Sequence, residues 1–230
     1  MTEVPVYPYA HGDLRILAVH IPPLDNVSYL VFAAGQHDCM VIDPAALAGW
    51  EELRAAYQLE PHLILLTHEH IDHISGVNAL MAQHEVRLLC HVRCAEHIRD
   101  SRRNLARYFE ALLEMHGAAE PERYARLIDY QVTYPAETYT GRLNFSWQGL
   151  PVTLQEAPGH SAGGSCIRVA DVLFSGDNLL RDTPVFTILP GGSKKLYQAQ
   201  TEPLLRALPP EMYVYPGHGA RFQLRDGAWR

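Results

Sequence analysis

Three histidines and two carboxylates stand within six consecutive positions, His68-Glu-His-Ile-Asp-His73, directly after the aliphatic run Leu63-Ile-Leu-Leu66. In an extended chain residues i and i+2 point to the same side, so His68 and His70 converge on one point as the backbone leaves the apolar run. If the chain then turns into a helix at Asp72 and His73, those two side chains are aimed from another direction at a neighbouring point. One short loop can thus feed two adjacent metal ions. A solvated polar loop is the ordinary explanation of a lone histidine. With 13 histidines in 230 residues, however, an H-x-H-x-D-H arrangement arises by chance on the order of once in a thousand such chains. Metal ligation is therefore the better reading. Glu69, the middle residue of H-x-H, should point away from the metals, toward a supporting role or solvent.

Two cations need more donors than one loop supplies, and three later stretches offer them. Glu156-Ala-Pro-Gly-His-Ser-Ala-Gly-Gly-Ser165 sets His160 just past a strand, in a turn whose glycines allow close backbone approach. Leu173-Phe-Ser-Gly-Asp-Asn178 places Asp177 at another strand end, and Val214-Tyr-Pro-Gly-His-Gly219 does the same for His218. Strand-end loops are where α/β layers gather their sites. Taken singly, Asp177 could cap a helix, and His160 or His218 could hydrogen-bond within a turn. Their joint occurrence favours ligation.

The elements that must position these loops read as follows. Residues 14–21, 27–32 and 39–42 form a strand meander separated by turn-forming segments. Residues 48–58 have helical character, 63–66 form a short strand, 74–84 a second helix and 86–91 another strand. From about 92 to 130 the pattern is helical, with apolar positions at Leu105, Phe109, Leu112, Leu113 and Met115. Strands return at 137–140, 143–147, 152–156, 166–169 and 172–174, then a helix at 196–208 and a last strand at 212–215. Strands followed by helix and strand therefore occur twice, around a helical insert, with no flexible linker. The expected fold is α/β, a single domain over residues 1–230 whose two pseudo-equivalent halves pack sheet on sheet with helices outside.

Composition bounds the function. The net charge of −7 and pI near 6.0 speak against a nucleic-acid partner. The arginines at 93, 99, 102, 103 and 107 are interleaved with acids and read as a solvated helix face. Cys39, Cys90, Cys94 and Cys166 match no zinc-finger spacing and are expected as buried free thiols. No signal-peptide pattern and no apolar run of membrane-span length occur, so a soluble, cytoplasmic protein with no membrane partner is expected.

Thr-His-Glu-His-Ile-Asp-His73, Pro-Gly-His-Ser-Ala-Gly-Gly164, Phe-Ser-Gly-Asp-Asn178 and Tyr-Pro-Gly-His-Gly219, in this order, resemble the metal motifs of the metallo-β-lactamase-fold hydrolases. Val41-Ile-Asp-Pro44 resembles that fold's opening. Leu-Pro-Gly-Gly-Ser193, followed by a helix, is most similar to the glyoxalase II-like branch. The resemblance implies an αββα sandwich. It implies one metal held by His68, His70 and His160, a second by Asp72, His73 and His218, and Asp177 bridging both. Imidazole and carboxylate donors without thiolate suit Zn²⁺, and Fe or Mn accepts the same set. For Asp43 it implies a carboxylate that fixes the histidine loop, although a strand-end turn or a helix cap before Pro44 accounts for that residue equally.

The expected reaction is hydrolysis of a thioester or ester by a hydroxide held between two metals, with Asp72 orienting it and relaying its proton. Only 12 residues follow His218, so the C-terminal helical region with which glyoxalase II grips glutathione is expected to be missing. A different bulky acyl substrate, small or carrier-linked, is favoured. Lys194 and Lys195 could meet an anionic group on it, or simply be solvated. Tyr108, Phe109, Met115, Tyr124 and Tyr130 of the insert could form an apolar lid or ordinary helix packing. The competing readings are a lactonase or β-lactamase-type hydrolase on the same fold, and a non-hydrolytic, metal-containing regulator that senses a small molecule.

Overall fold

The computed structural model describes residues 5–46, 50–115 (the side chain of Met115 excepted) and 126–229. A first sheet contains seven strands in chain order: β1 (Val6–His11), β2 (Leu14–Ile21), β3 (Asn26–Ala33), β4 (Asp38–Ile42), β5 (Glu60–Leu65), β6 (Arg87–His91) and β7 (Glu137–Tyr139). Its first four strands are antiparallel neighbours, and β4 through β7 run parallel. The crossovers between those parallel strands carry α1 (Trp50–Ala56), α2 (Ile71–Ile74), α3 (Val77–Gln83), α4 (Val92–His97) and α5 (Phe109–Met115).

The second sheet is built from β8 (Arg142–Trp147), β9 (Leu150–Glu156), β10 (Ser165–Val169), β11 (Val172–Gly176), β12 (Tyr213–Pro216) and β13 (Phe222–Gln223), ordered β13-β12-β11-β10-β9-β8. Because β10 is antiparallel to both β9 and β11, while β11 and β12 are parallel, β9, β11 and β12 all end on one edge.

Period-two burial makes the layers. In β5, Leu63 and Leu65 enter a cluster shared with Val152, Leu154, Ile167, Phe174 and Tyr215 of the second sheet. The alternate residues, Ile64 and Leu66, face the helices with Ile71, Ile74, Phe109 and Leu113. A strand buried on both faces reads as an unbroken aliphatic run, which is why 63–66 lacks alternation. A third cluster, containing Leu173, Val214 and Leu205, packs the outer face of the second sheet. The architecture is the expected αββα sandwich, and all four cysteines are buried and free.

Some elements differ from the sequence expectation. The helix expected over 74–84 is broken into α2 and α3, because Gly76 N–H donates to the Pro44 carbonyl at 2.8 Å and a Cβ there would meet Ala45 O at 2.5 Å. In the insert, Phe109 and Leu113 pack into the helical layer, whereas Tyr108 is exposed. The Tyr130 hydroxyl donates to Ile74 O at 3.1 Å and accepts from Asn78 N–H at 3.2 Å, bracing the α2–α3 junction. Tyr124 and the Met115 side chain lie outside the described residues. The run expected as one helix at 196–208 is α6 (Lys194–Leu196), a π-helical turn (Tyr197–Thr201) and α7 (Glu202–Arg206).

Candidate metal centre

The ends of β5, β9, β11 and β12 deliver His68, His70, Asp72, His73, His160, Asp177 and His218 to one rim. His68, His70 and His160 form one group whose donor atoms lie within 4.8 Å of one another, and Asp72, His73 and His218 form a second. His70 Nδ1 faces His160 Nε2 at 3.1 Å. In the second group Asp72 Oδ2 lies 3.2 Å from His218 Nε2 and 3.5 Å from His73 Nε2. Asp177 stands between the two: Oδ2 is 3.6 Å from His160 Nε2 and 3.5 Å from His218 Nε2, while Oδ1 is 3.5 Å from His73 Nε2. The close approach needs Gly217, since a Cβ at that position would strike Asp177 Oδ1 and lie 2.7 Å from His73 Cε1.

The outward nitrogens of four imidazoles are held, which fixes how each ring faces the centre. His160 Nδ1 pairs with the Phe186 carbonyl at 2.8 Å, and His218 Nδ1 with the Leu24 carbonyl at 2.8 Å. His68 Nδ1 meets Thr67 Oγ1 at 3.0 Å, and His73 Nδ1 meets Asp43 Oδ2 at 3.1 Å. Asp43 also accepts from Thr67 N–H at 2.7 Å and from Thr67 Oγ1 at 2.5 Å. Its backbone φ of +52° shows that it makes the strand-end turn as well, so both readings of Asp43 hold. Asn26 Nδ2 donates to Asp72 O at 2.8 Å, tying β3 to α2.

Electrostatics separate the two groups. Burial, with neighbouring imidazoles, pushes His68 well below its ordinary value. Burial and His160 bring His70 down to about 4. These nitrogens therefore keep their lone pairs at neutral pH. In the second group burial works against charge but loses to the partners: Asp72 and Asp177 raise His73 to about 9 and also hold His218 well above the imidazole range. Burial would likewise raise Asp72 and Asp177, yet the facing histidines hold both carboxyls low.

His68 Nε2, His73 Nε2 and Asp177 Oδ1 are buried without a hydrogen-bond partner. An unsatisfied buried polar group costs about 1–3 kcal/mol, and three spread over the two adjoining groups fit donors aimed at cations. The imidazole and carboxylate set suits a divalent metal.

Sequence reasoning missed several supports of the site. Tyr197 and Thr201, at the two ends of the π-helical turn, brace separate loops: Tyr197 OH donates to Asn178 O at 2.9 Å, and Thr201 Oγ1 to Pro158 O at 2.6 Å. Glu69 does turn away from the centre, but it is fully buried rather than solvated. Burial would raise its carboxyl, and the hydrogen bond from His97 brings it below the usual range. No sequence signal marks Tyr197, Thr201 or His97, whose partners are distant in the chain.

A family model described as the Metallo-beta-lactamase superfamily matches residues 21–218. Hydroxyacylglutathione hydrolase of Glaesserella parasuis serovar 5 (strain SH0165) is 30% identical over 205 residues, 86% of this chain and 68% of that protein. The enzyme of the same name from Shewanella sp. (strain ANA-3) is 26% identical over 195 residues, 84% of this chain and 62% of that one. The chain thus spans roughly two thirds of the length of these relatives. Among solved structures, the BLEG-1 B3 metallo-beta-lactamase has a TM-score of 0.73 at 24% identity, covering 91% of this chain and 94% of that one. TTHA1623 in a di-iron-bound form has a TM-score of 0.67 at 28% identity, covering 90% and 94%. The motifs, the sandwich and these matches agree, and the chain belongs to the metallo-beta-lactamase superfamily, among its glyoxalase II-like hydrolases.

Proposed function

We propose that the chain acts as a single domain and is a dinuclear metal-dependent hydrolase that cleaves a thioester or ester of a bulky acyl substrate. The observation that carries this is the pair of donor groups, His68/His70/His160 and Asp72/His73/His218, with Asp177 between them. Each group would hold one cation, Zn²⁺ by preference and Fe or Mn by the same chemistry, and Asp177 would reach both. The likeness to a di-iron-bound protein supports two metals, and the hydroxyacylglutathione hydrolases support thioester chemistry. Bound in these groups, divalent ions would supply Lewis acidity, which lowers the pKa of water from 15.7 toward ~7.

The protein's own groups do the rest. Asp72, whose Oδ2 lies 3.2 Å from His218 Nε2, would orient the attacking water and take its proton. Asp43 and Thr67 hold the rings of His73 and His68. Beside the centre, Phe186 and Ile188 are 55% and 85% exposed on the segment whose Phe186 carbonyl holds His160. Exposed apolar side chains there suit an acyl chain. Lys194 and Lys195, both exposed at the start of α6, suit an anionic group on the carrier or leaving thiol.

Metal-reconstituted protein should turn over a panel of acyl thioesters faster than acyl lactones or β-lactams, with about two metals per chain by elemental analysis. Lactone or β-lactam turnover without thioester turnover would move the assignment to the other hydrolase class. Full metal loading without any turnover would leave a sensing regulator.

A further inference from the structure

Glu69 sits between two of the candidate metal donors, with its side chain on the opposite side of the segment from His68 and His70. Its carboxylate is fully buried and joins three parts of the chain. His97 Nδ1, at the end of α4, lies 2.9 Å from Oε1, and Ser161 Oγ donates to Oε2 at 3.0 Å. The Gly163 N–H reaches both oxygens, at 3.3 and 3.2 Å. A Cβ at Gly163 would come within 2.6 Å of Oε2 and strike the backbone of Cys94. Only glycine lets the turn after His160 close on both Glu69 and α4.

The consequence is geometric. The first donor group takes two rings from the β5 loop and one from the β9–β10 turn, and these loops belong to different sheets. Across the rim, His70 Nδ1 and His160 Nε2 already approach to 3.1 Å. Behind the rim, the Ser165 N–H donates to Thr67 O at 2.7 Å, and Glu69 adds the side-chain link between the loops, since it is covalently next to His68 and His70 and accepts from Ser161, the residue after His160. His97 secures the far side of that carboxylate and itself lines a cavity of about 340 Å³ with Arg93, Glu156, Ala162 and Leu196. Burying a carboxylate is tolerated only with this many donors.

We propose that Glu69 and His97 form a positioning pair that sets the spacing between the His68/His70 limb and the His160 limb of the first metal group, and so tunes its metal affinity. The pair is an attachment of the helical insert to the candidate metal rim, distinct from Asp43 and Thr67, which hold the rings of His73 and His68. The inference rests on the reading of His68, His70 and His160 as metal donors.

The test is competition of the metal-free full chain with a chromogenic chelator for Zn²⁺, together with the visible spectrum of the Co²⁺ form. Measured partners of metal-bound histidines typically change affinity by roughly 10–100-fold. Glu69→Gln, whose amide oxygen can accept from Ser161 and Gly163 only by turning its N–H₂ onto His97 Nδ1, should weaken one of two sites by that factor and shift the Co²⁺ bands. His97→Leu should do the same. His97→Asn, which can place an N–H near the Nδ1 position, should recover most of the affinity. Ser161→Ala, a milder change, should give a smaller loss in the same site and keeps the test available if His97→Leu does not fold.

Wild-type affinity and Co²⁺ spectrum in Glu69→Gln and His97→Leu, with only a lower melting temperature, would overturn the positioning role. Equal loss in His97→Asn and His97→Leu would overturn it too. A wild-type chain that takes up no metal would overturn the reading beneath it instead.

Discussion

At the scale of single residues, His68 and His70 are neutral imidazoles whereas His73 and His218 are charged, and that division has a measurable consequence. Without a cation His73 titrates near 9 and His218 also lies well above 6.5, so both carry a proton at pH 7. Both must lose it to coordinate a metal. His68 and His70 are depressed and have none to lose. Binding of two Zn²⁺ at pH 7 should therefore release about two protons from His73 and His218, in addition to any lost by metal-bound water. The sign follows: affinity for the second metal should fall as pH drops below the His73 value, while the first should hold down to lower pH. Calorimetric titration in two buffers of different ionisation enthalpy reads the proton count, and release near zero would contradict the assignment. That these seven candidate donors gather at one rim was legible in the sequence because each lies in a short motif at a strand end. Glu69 was legible only in direction. Its burial depends on His97, Ser161 and Gly163, which tertiary folding brings to it from 28, 92 and 94 positions away.

At the scale of elements, strands were legible even when short, as β7 (Glu137–Tyr139) and β11 (Val172–Gly176) are, whereas edge strands and interrupted helices were not. β2 is found at its expected bounds, Leu14–Ile21. By contrast β1, VYPYAH, carries Pro8 and exposed positions characteristic of an edge strand. β13 has two residues and no pattern to detect. The π-helical turn was hidden for a different reason. Its apolar pattern is that of an ordinary helix, and its register is set by what Tyr197 and Thr201 hold. Tyr197 braces the loop of Asp177, and Thr201 the loop that leads to His160. Removing one such hydrogen bond costs about 0.5–1.5 kcal/mol. Tyr197→Phe and Thr201→Val should each lower the unfolding free energy of the metal-free chain by that amount, read as a lower denaturation midpoint at unchanged slope. They should differ in metal binding, Tyr197→Phe weakening both sites through Asp177 and Thr201→Val mainly the first. Identical metal affinities in both variants would show that the turn supports the fold alone.

At the scale of the whole molecule, the αββα order was legible because strands, helices and a final strand recur in both halves. The face-to-face packing of the two sheets was expected too, but not which residues form the shared layer, since that depends on which face of each strand meets the other. The apolar layer shared by Leu65, Leu154, Phe174 and Tyr215 joins them through the middle. At the rim the candidate donors span the same gap: His68, His70, Asp72 and His73 follow β5 of the first sheet, whereas His160, Asp177 and His218 follow β9, β11 and β12 of the second. Each donor group draws from both sheets, so a cation in either site fastens one sheet to the other. A ligand that binds only the folded chain stabilises it by about 4.1 kcal/mol at a free concentration 1,000 times its Kd. For a chain of this size roughly 2–4 °C accompany each kcal/mol. One occupied site should thus raise the melting temperature by roughly 8–16 °C over chelator-treated protein, measured by scanning calorimetry. His160→Ala should remove most of the first site's share while leaving the second site able to stabilise the chain. Equal melting temperatures with and without metal would mean that the rim does not bind the sheets together, and that the apolar layer alone holds the sandwich.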